Sequence, residues 1–186
     1  QVQGDQYAAI YSETVTVQLE NDFLPFLYPN QYVNFTPDSK ASQLALSLID
    51  EDTVDVDALQ QIYDYVVSNL TYDYEKADTV TTGYLPDVDE TLKTGTGICF
   101  DYAALTTAML RSCDIPCKLQ IGYAGDIKHA WIDVYIRSKG WVNQAVSFKG
   151  DTWTLMDPTF DSNSDDKEAI QDYIGDESNY TVQFTR

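Results

Sequence analysis

The chain of 186 residues is long enough for one ordinary domain with a sizeable core, and 44% hydrophobic with 13% aromatic residues is a composition that folds. Thirty acidic against 11 basic residues give a net charge of −19, which argues against nucleic acid or an anionic bilayer as partner, since both are bound by clustered Lys and Arg.

Residues 1–37 read as an irregular lead-in punctuated by Pro25, Pro29 and Pro37, with a strand expected at 14–19. One domain is expected over 38–186. Asp38 or Ser39 can cap a first helix through Ile49, with Leu44, Leu46, Leu48 and Ile49 as its apolar set. A second helix is written by Val56, Leu59, Ile62, Tyr63, Val66, Val67 and Leu70 at three- and four-residue steps. It ends near Asn69, and 72–74 leaves it extended. Residues 75–97 read as a surface loop.

A third helix over 99–112 is apolar nearly all round (Phe100, Ala103, Ala104, Leu105, Ala108, Met109, Leu110), which places it mid-fold. Asp114-Ile115-Pro116 stops it. From Cys117 the period changes to two: KLQIGYA, HAWIDVYI, WVNQAV and TWTLMD read as consecutive antiparallel strands. A short helix near 166–173 and a last strand at 181–184 complete the chain. Helices first and strands second is an α+β order, with helix 99–112 packed on the sheet. No run of 18 apolar residues appears, so no membrane insertion is expected.

Three cysteines do not make a disulfide scaffold. Cys113 and Cys117 read either as a bridge or as two small buried apolar residues at a turn; the second reading is the simpler. Low lysine, many Tyr, Thr and Asp, and strong acidity fit a secreted or cell-surface protein. Gln1 is no initiator residue, so a removed preceding segment is expected.

Cys99, His129 and Asp157 follow one another in contexts suited to thiol chemistry, and His129 is the only histidine. Cys99 opens the buried helix, where unpaired N–H groups and the helix dipole favour a thiolate and can receive an oxyanion. Gly95 and Gly97 just before it would admit a substrate backbone. Asp101 opposes a thiolate unless it points away. His129 shares a strand face with Trp131, Asp133 and Tyr135, opposite the aliphatic Ala130, Ile132, Val134 and Ile136. Asp157 is the expected orienter of His129, with Asp151 and Asp161 as fallback acids.

Over about residues 59–161, the segments NLTYDY, GTGICFDYAALTTAMLRSCDIPCKLQIGY, HAWIDVYI and WTLMDPTF together resemble the transglutaminase-like superfamily. The resemblance implies a papain-like α+β core in which Cys99 attacks an amide carbonyl, His129 shuttles the proton and Asp157 orients it. It also implies that Tyr72 approaches the site as oxyanion donor or pocket lining, and that Trp131 walls the acyl or amine groove. No cofactor or metal is implied, and the partner would be a protein or peptide substrate. Hydrolysis by a protease or amidase is favoured over crosslinking; the alternative is a binding or scaffolding module without turnover. Two departures stand out: Cys113 occupies the place of the family's helix-ending Gly, and WVNQAVSFKGD lengthens the stretch between Trp131 and Asp157.

Overall fold

The structure is a computed structural model that describes residues 11, 13–149, 152–155 and 180–186, with side chains described as far as residue 143 and again from 180. Asp157, the fallback acids Asp151 and Asp161, and the helix expected near 166–173 lie outside these residues.

The first described α-helix, α1 (Lys40–Leu48), follows Ser39 as expected, but it buries Ala41, Ser42 and Ala45, leaving Leu46 54% exposed. Leu44, Leu48 and Ile49 pack partly buried against the core as expected, while the small residues hold the fully buried positions because α1 runs close beside the central helix, where Ser112 Oγ donates to Ser42 Oγ at 2.8 Å. The second helix, α2 (Asp55–Asn69), uses its predicted stripe, burying Leu59, Ile62 and Val66 together with Ala58. The segment read as a surface loop holds two short helices, α3 (Tyr74–Thr79) and α4 (Val88–Thr94). Each has an N-cap aspartate: Asp73 accepts from Lys76 N–H, and Asp87 accepts from the N–H groups of Asp89 and Glu90. Two-residue strands, β1 (Thr71–Tyr72) and β2 (Thr96–Gly97), pair in parallel.

The central helix α5 (Cys99–Ser112) buries every residue from Asp101 to Arg111, as its lack of a polar face demands. At its end Asp114 takes a left-handed conformation, φ 57°, doing there what a glycine does elsewhere. The N–H groups of Asp114 and Ile115 return to the carbonyls of Arg111 and Leu110, so the turn closes with Cys113 as cap. Cys113 and Cys117 are both free thiols. Cys117 is fully buried beside Thr107, and burial pushes its thiol up to about 12.

A five-stranded sheet follows, in the order β6-β5-β4-β3-β7: β3 (Cys117–Ala124), β4 (Ile127–Ile136), β5 (Gly140–Lys149), β6 (Thr152–Leu155) and β7 (Tyr180–Thr185). All neighbours are antiparallel. The fold is α+β, with the helix that carries Cys99 packed on the sheet through Ala130, Ile132, Val134 and Ile136. The opposite face of β4 is also covered. Trp131 lies under Tyr180, Asp133 accepts from Gln120, and Tyr135 packs on Phe23 with ring centroids 4.5 Å apart. The lead-in supplies Phe23 and Phe26 to this cover, and Val33 and Phe35 to the core. The stretch 14–19 is exposed and forms no strand.

Candidate active site

Cys99 is the first residue of α5, where the entering chain is held by a short ladder. Thr71 N–H donates to Gly95 O at 2.8 Å, and Asp73 N–H to Gly97 O at 2.9 Å. These bonds bring Tyr72, at the exit of α2, to the head of α5. There the Cys99 backbone N–H faces the Tyr72 hydroxyl oxygen. Burial chiefly, then the nearby thiol, raise the Tyr72 phenol, and that N–H works against the rise. Tyr72 and Cys99 are thus direct neighbours.

Gly97 does not face an open substrate channel. A Cβ there would come within 2.6 Å of Asp101 Cβ, so its missing side chain makes room for Asp101 instead. Gly95 is the left-handed cap of α4. The glycines before Cys99 serve the local fold, contrary to the expectation that they admit substrate.

Asp101, the third residue of α5, turns back and accepts Ile98 N–H at 2.8 Å. It also accepts Lys76 Nζ at 2.7 Å and the Tyr84 hydroxyl. Its charge is therefore paired as well as buried. No sequence pattern links Lys76 and Tyr84 to Asp101, because the contact depends on α3 folding over the head of α5.

The Cys99 sulfur is directed at β4, where the Ala130 N–H donates to it one residue from His129. Its thiol does not have the lowered pKa expected for a helix start. Although the residue keeps some open surface, burial of the sulfur pushes the thiol up. The N–H groups of Ala130, Phe100 and Cys99 oppose that rise, and Asp101 adds to it. Desolvation outweighs the opposing N–H groups.

His129 is 8% exposed and stacks on Trp131, centroids 6.2 Å apart and planes 18° from parallel. It sits opposite Gly122 of β3. The face it shares with Trp131 and Asp133 is enclosed, not the open polar face expected from alternation. Trp131 is 1% exposed, covered by the Tyr180 ring at 5.2 Å, and so supports His129 from behind. A Cβ on Gly122 would stand 1.9 Å from Thr181 O and 3.1 Å from the Trp131 ring, so this close crossing of β3, β7 and Trp131 requires glycine. Tyr180, from the far end of the chain, was not singled out by the sequence; only strand pairing brings it here. The strand leading to Asp157, β6, is separated from β4 by β5. Among the described residues, no group of three His, Cys, Asp or Glu could hold a metal ion.

Residues 42–158 match the family described as the transglutaminase-like superfamily. A curated relative, UPF0252 protein MJ1282 of Methanocaldococcus jannaschii, is 29% identical over 113 residues, covering 57% of this chain and 30% of the relative. A solved structure described as a candidate cysteine protease from Cytophaga hutchinsonii is 26% identical with a TM-score of 0.53, covering 67% of this chain and 41% of the other. A structure described as a candidate protease from Parabacteroides distasonis is 20% identical with a TM-score of 0.47, covering 57% of this chain and 24% of the other. The chain thus spans less than half the length of each of these relatives.

Proposed function

The chain belongs to the transglutaminase-like superfamily, and from that premise we propose that it is a cysteine-dependent acyl-transfer enzyme acting on peptide or glutamine amide bonds. One observation carries the reading. The sulfur of Cys99, at the head of a buried helix, meets the β4 backbone beside the only histidine, while the Cys99 N–H faces Tyr72.

In this mechanism His129 takes the Cys99 proton as the sulfur attacks the carbonyl carbon. The Sγ–C bond forms and the oxyanion is held by the Cys99 N–H and the Tyr72 hydroxyl. The C–N bond then breaks, and the leaving amine or ammonia departs with the proton from His129. Water or an amine next loses a proton to His129, attacks the thioester and releases the thiol. Asp157 accepts the other imidazole N–H and fixes the tautomer; the family match, which runs to residue 158, takes in all three residues. The raised thiol suits this scheme, since proton removal accompanies attack.

Hydrolysis is the preferred outcome, with support from the likeness to the Cytophaga hutchinsonii candidate cysteine protease. No cofactor enters the scheme. The substrate is a protein or peptide met outside the cell, as the acidic, lysine-poor composition suggests. The test is to incubate the protein with a glutamine peptide and a fluorescent primary amine, following ammonia release and label together, with Cys99→Ala as control. Ammonia release without label, dependent on Cys99, is the expected result. Label incorporation would make the protein a crosslinking transferase. Burial of the thiol favours a second reading, a surface-binding module without turnover. Absence of any Cys99-bound acyl intermediate by mass spectrometry, across a pool of peptide and protein substrates, would establish it.

A further inference from the structure

Asp101 places a buried charge two residues from the proposed nucleophile, and the scheme above makes no use of it. Its side chain has no exposed surface. Of its three donors, Ile98 N–H and the Tyr84 hydroxyl are neutral, and only Lys76 brings a positive charge, at 2.7 Å. Lys76 keeps 30% of its side chain exposed, and its ammonium stands 4.4 Å from the Tyr84 ring centroid. Burial alone would lower its pKa, but the bonds to Asp101 and Tyr84 outweigh that and raise it, so the charge stays on. The ammonium is delivered by α3, whose cap residue Asp73 is itself bonded through its N–H to Gly97 at the entry of α5.

A carboxylate is useful at this place because it ties down the Ile98 N–H and fixes the entering chain. It is also harmful, because a like charge disfavours the thiolate that catalysis must form. A neutral donor set would satisfy the first need and leave the second unmet. We propose that Lys76 is a positioning residue for Cys99: its ammonium cancels the Asp101 charge, so that the tether at the head of α5 does not repel the thiolate. This rests on the reading of Cys99 given above. Of the titratable groups at the head of α5, Asp101 on α5 and Tyr72 on β1 act on the Cys99 thiol directly; Tyr102 on α5, Tyr74 and Lys76 on α3 and Tyr84 lie beside those two, and on β4 His129 adjoins Ala130, whose N–H donates to the sulfur.

The test is the pH profile of Cys99 alkylation by iodoacetamide, read on the Cys99 peptide by mass spectrometry so that Cys113 and Cys117 do not contribute. Lys76→Met is expected to raise the midpoint by about one pH unit, slowing alkylation at neutral pH about tenfold. Lys76→Arg keeps the charge and should stay near the unmodified protein. The double variant Lys76→Met with Asp101→Asn removes both charges and should return toward it. Should Lys76→Met fail to give native circular dichroism, Lys76→Gln repeats the measurement with a neutral donor to Asp101. An unshifted midpoint in either folded neutral variant overturns the proposal, as does a shift that the double variant fails to reverse. Failure of the acyl-transfer reading is distinguishable: it is loss of turnover in the unmodified protein, whatever its midpoint.

Discussion

At Cys99 three influences compete: burial raises the thiol, backbone N–H groups lower it, and Asp101 raises it again. The balance makes neighbouring donors count. Tyr72→Phe removes the hydroxyl that faces the Cys99 N–H and should lower kcat about tenfold to a hundredfold with KM little changed. An equal fall in 1/KM instead would make Tyr72 a pocket wall only. The orienting acid is a separate question, because β5 lies between β4 and β6. Asp157→Asn should cut kcat by about 10²–10⁴, while Asp151→Asn and Asp161→Asn leave it near the original. If Asp151→Asn is the damaging change, the acid comes from the residues between β5 and β6 in sequence, and the Asp157 assignment fails.

Among the elements, α5 is the part everything else positions. Its far end is fixed by Arg111, whose guanidinium donates to the carbonyls of Cys117, Tyr28 and Arg186 and so joins helix, lead-in, β3 and the end of β7. Burial lowers the Arg111 pKa, but an arginine has range enough to stay charged. The sheet depends in turn on the crossing at Gly122. Gly122→Ala drives a methyl into the Thr181 carbonyl and toward Trp131, which backbone movement alone can relieve. A loss of about 1–3 kcal/mol in urea unfolding is expected, with a change in tryptophan emission as Tyr180 leaves Trp131. Unchanged stability and emission would mean that β7 does not press on β3 as described.

For the whole molecule, the raised acids set a limit on the alkaline side. Burial pushes Cys113 to about 11, Cys117 to about 12, and Tyr63 and Tyr84 to about 12. Each of these groups keeps its proton to a higher pH when folded than when unfolded. Above the ordinary value, 9.0 for a thiol and 10.0 for a tyrosine, the unfolded chain therefore binds fewer protons. Stability falls as pH rises, in a window from about 9 to about 12. By pH 10 the buried Cys117 thiol should have removed about 1 kcal/mol relative to pH 8, and the half-buried, better-screened Cys113 thiol less. Urea unfolding under reducing conditions at the two pH values checks this, and Cys117→Ala should make the fall shallower. A flat profile between them would show that Cys117 is not buried in the folded state.

Much of this was legible in the chain. The all-round apolar run from Phe100 to Leu110 could only be a central helix, and the alternation of HAWIDVYI could only be a strand; α5 and β4 lie where those patterns put them. A lone histidine leaves the proposed mechanism one candidate imidazole base. Periodicity reports that a face is apolar, but not which neighbour will press on it. That is why Ala41 and Ala45 hold the fully buried positions of α1 while Leu46 is left exposed, and why the second face of β4 closed over Trp131. Short capped helices such as α3 and α4 carry too few residues to show a period, and they appear only once they pack. The charge pairing at Asp101 and the raised Cys99 thiol belong to the same class. Both are set by distance and desolvation among segments far apart in sequence, so the chain named the chemical groups, and the tertiary structure alone fixed their electrostatics.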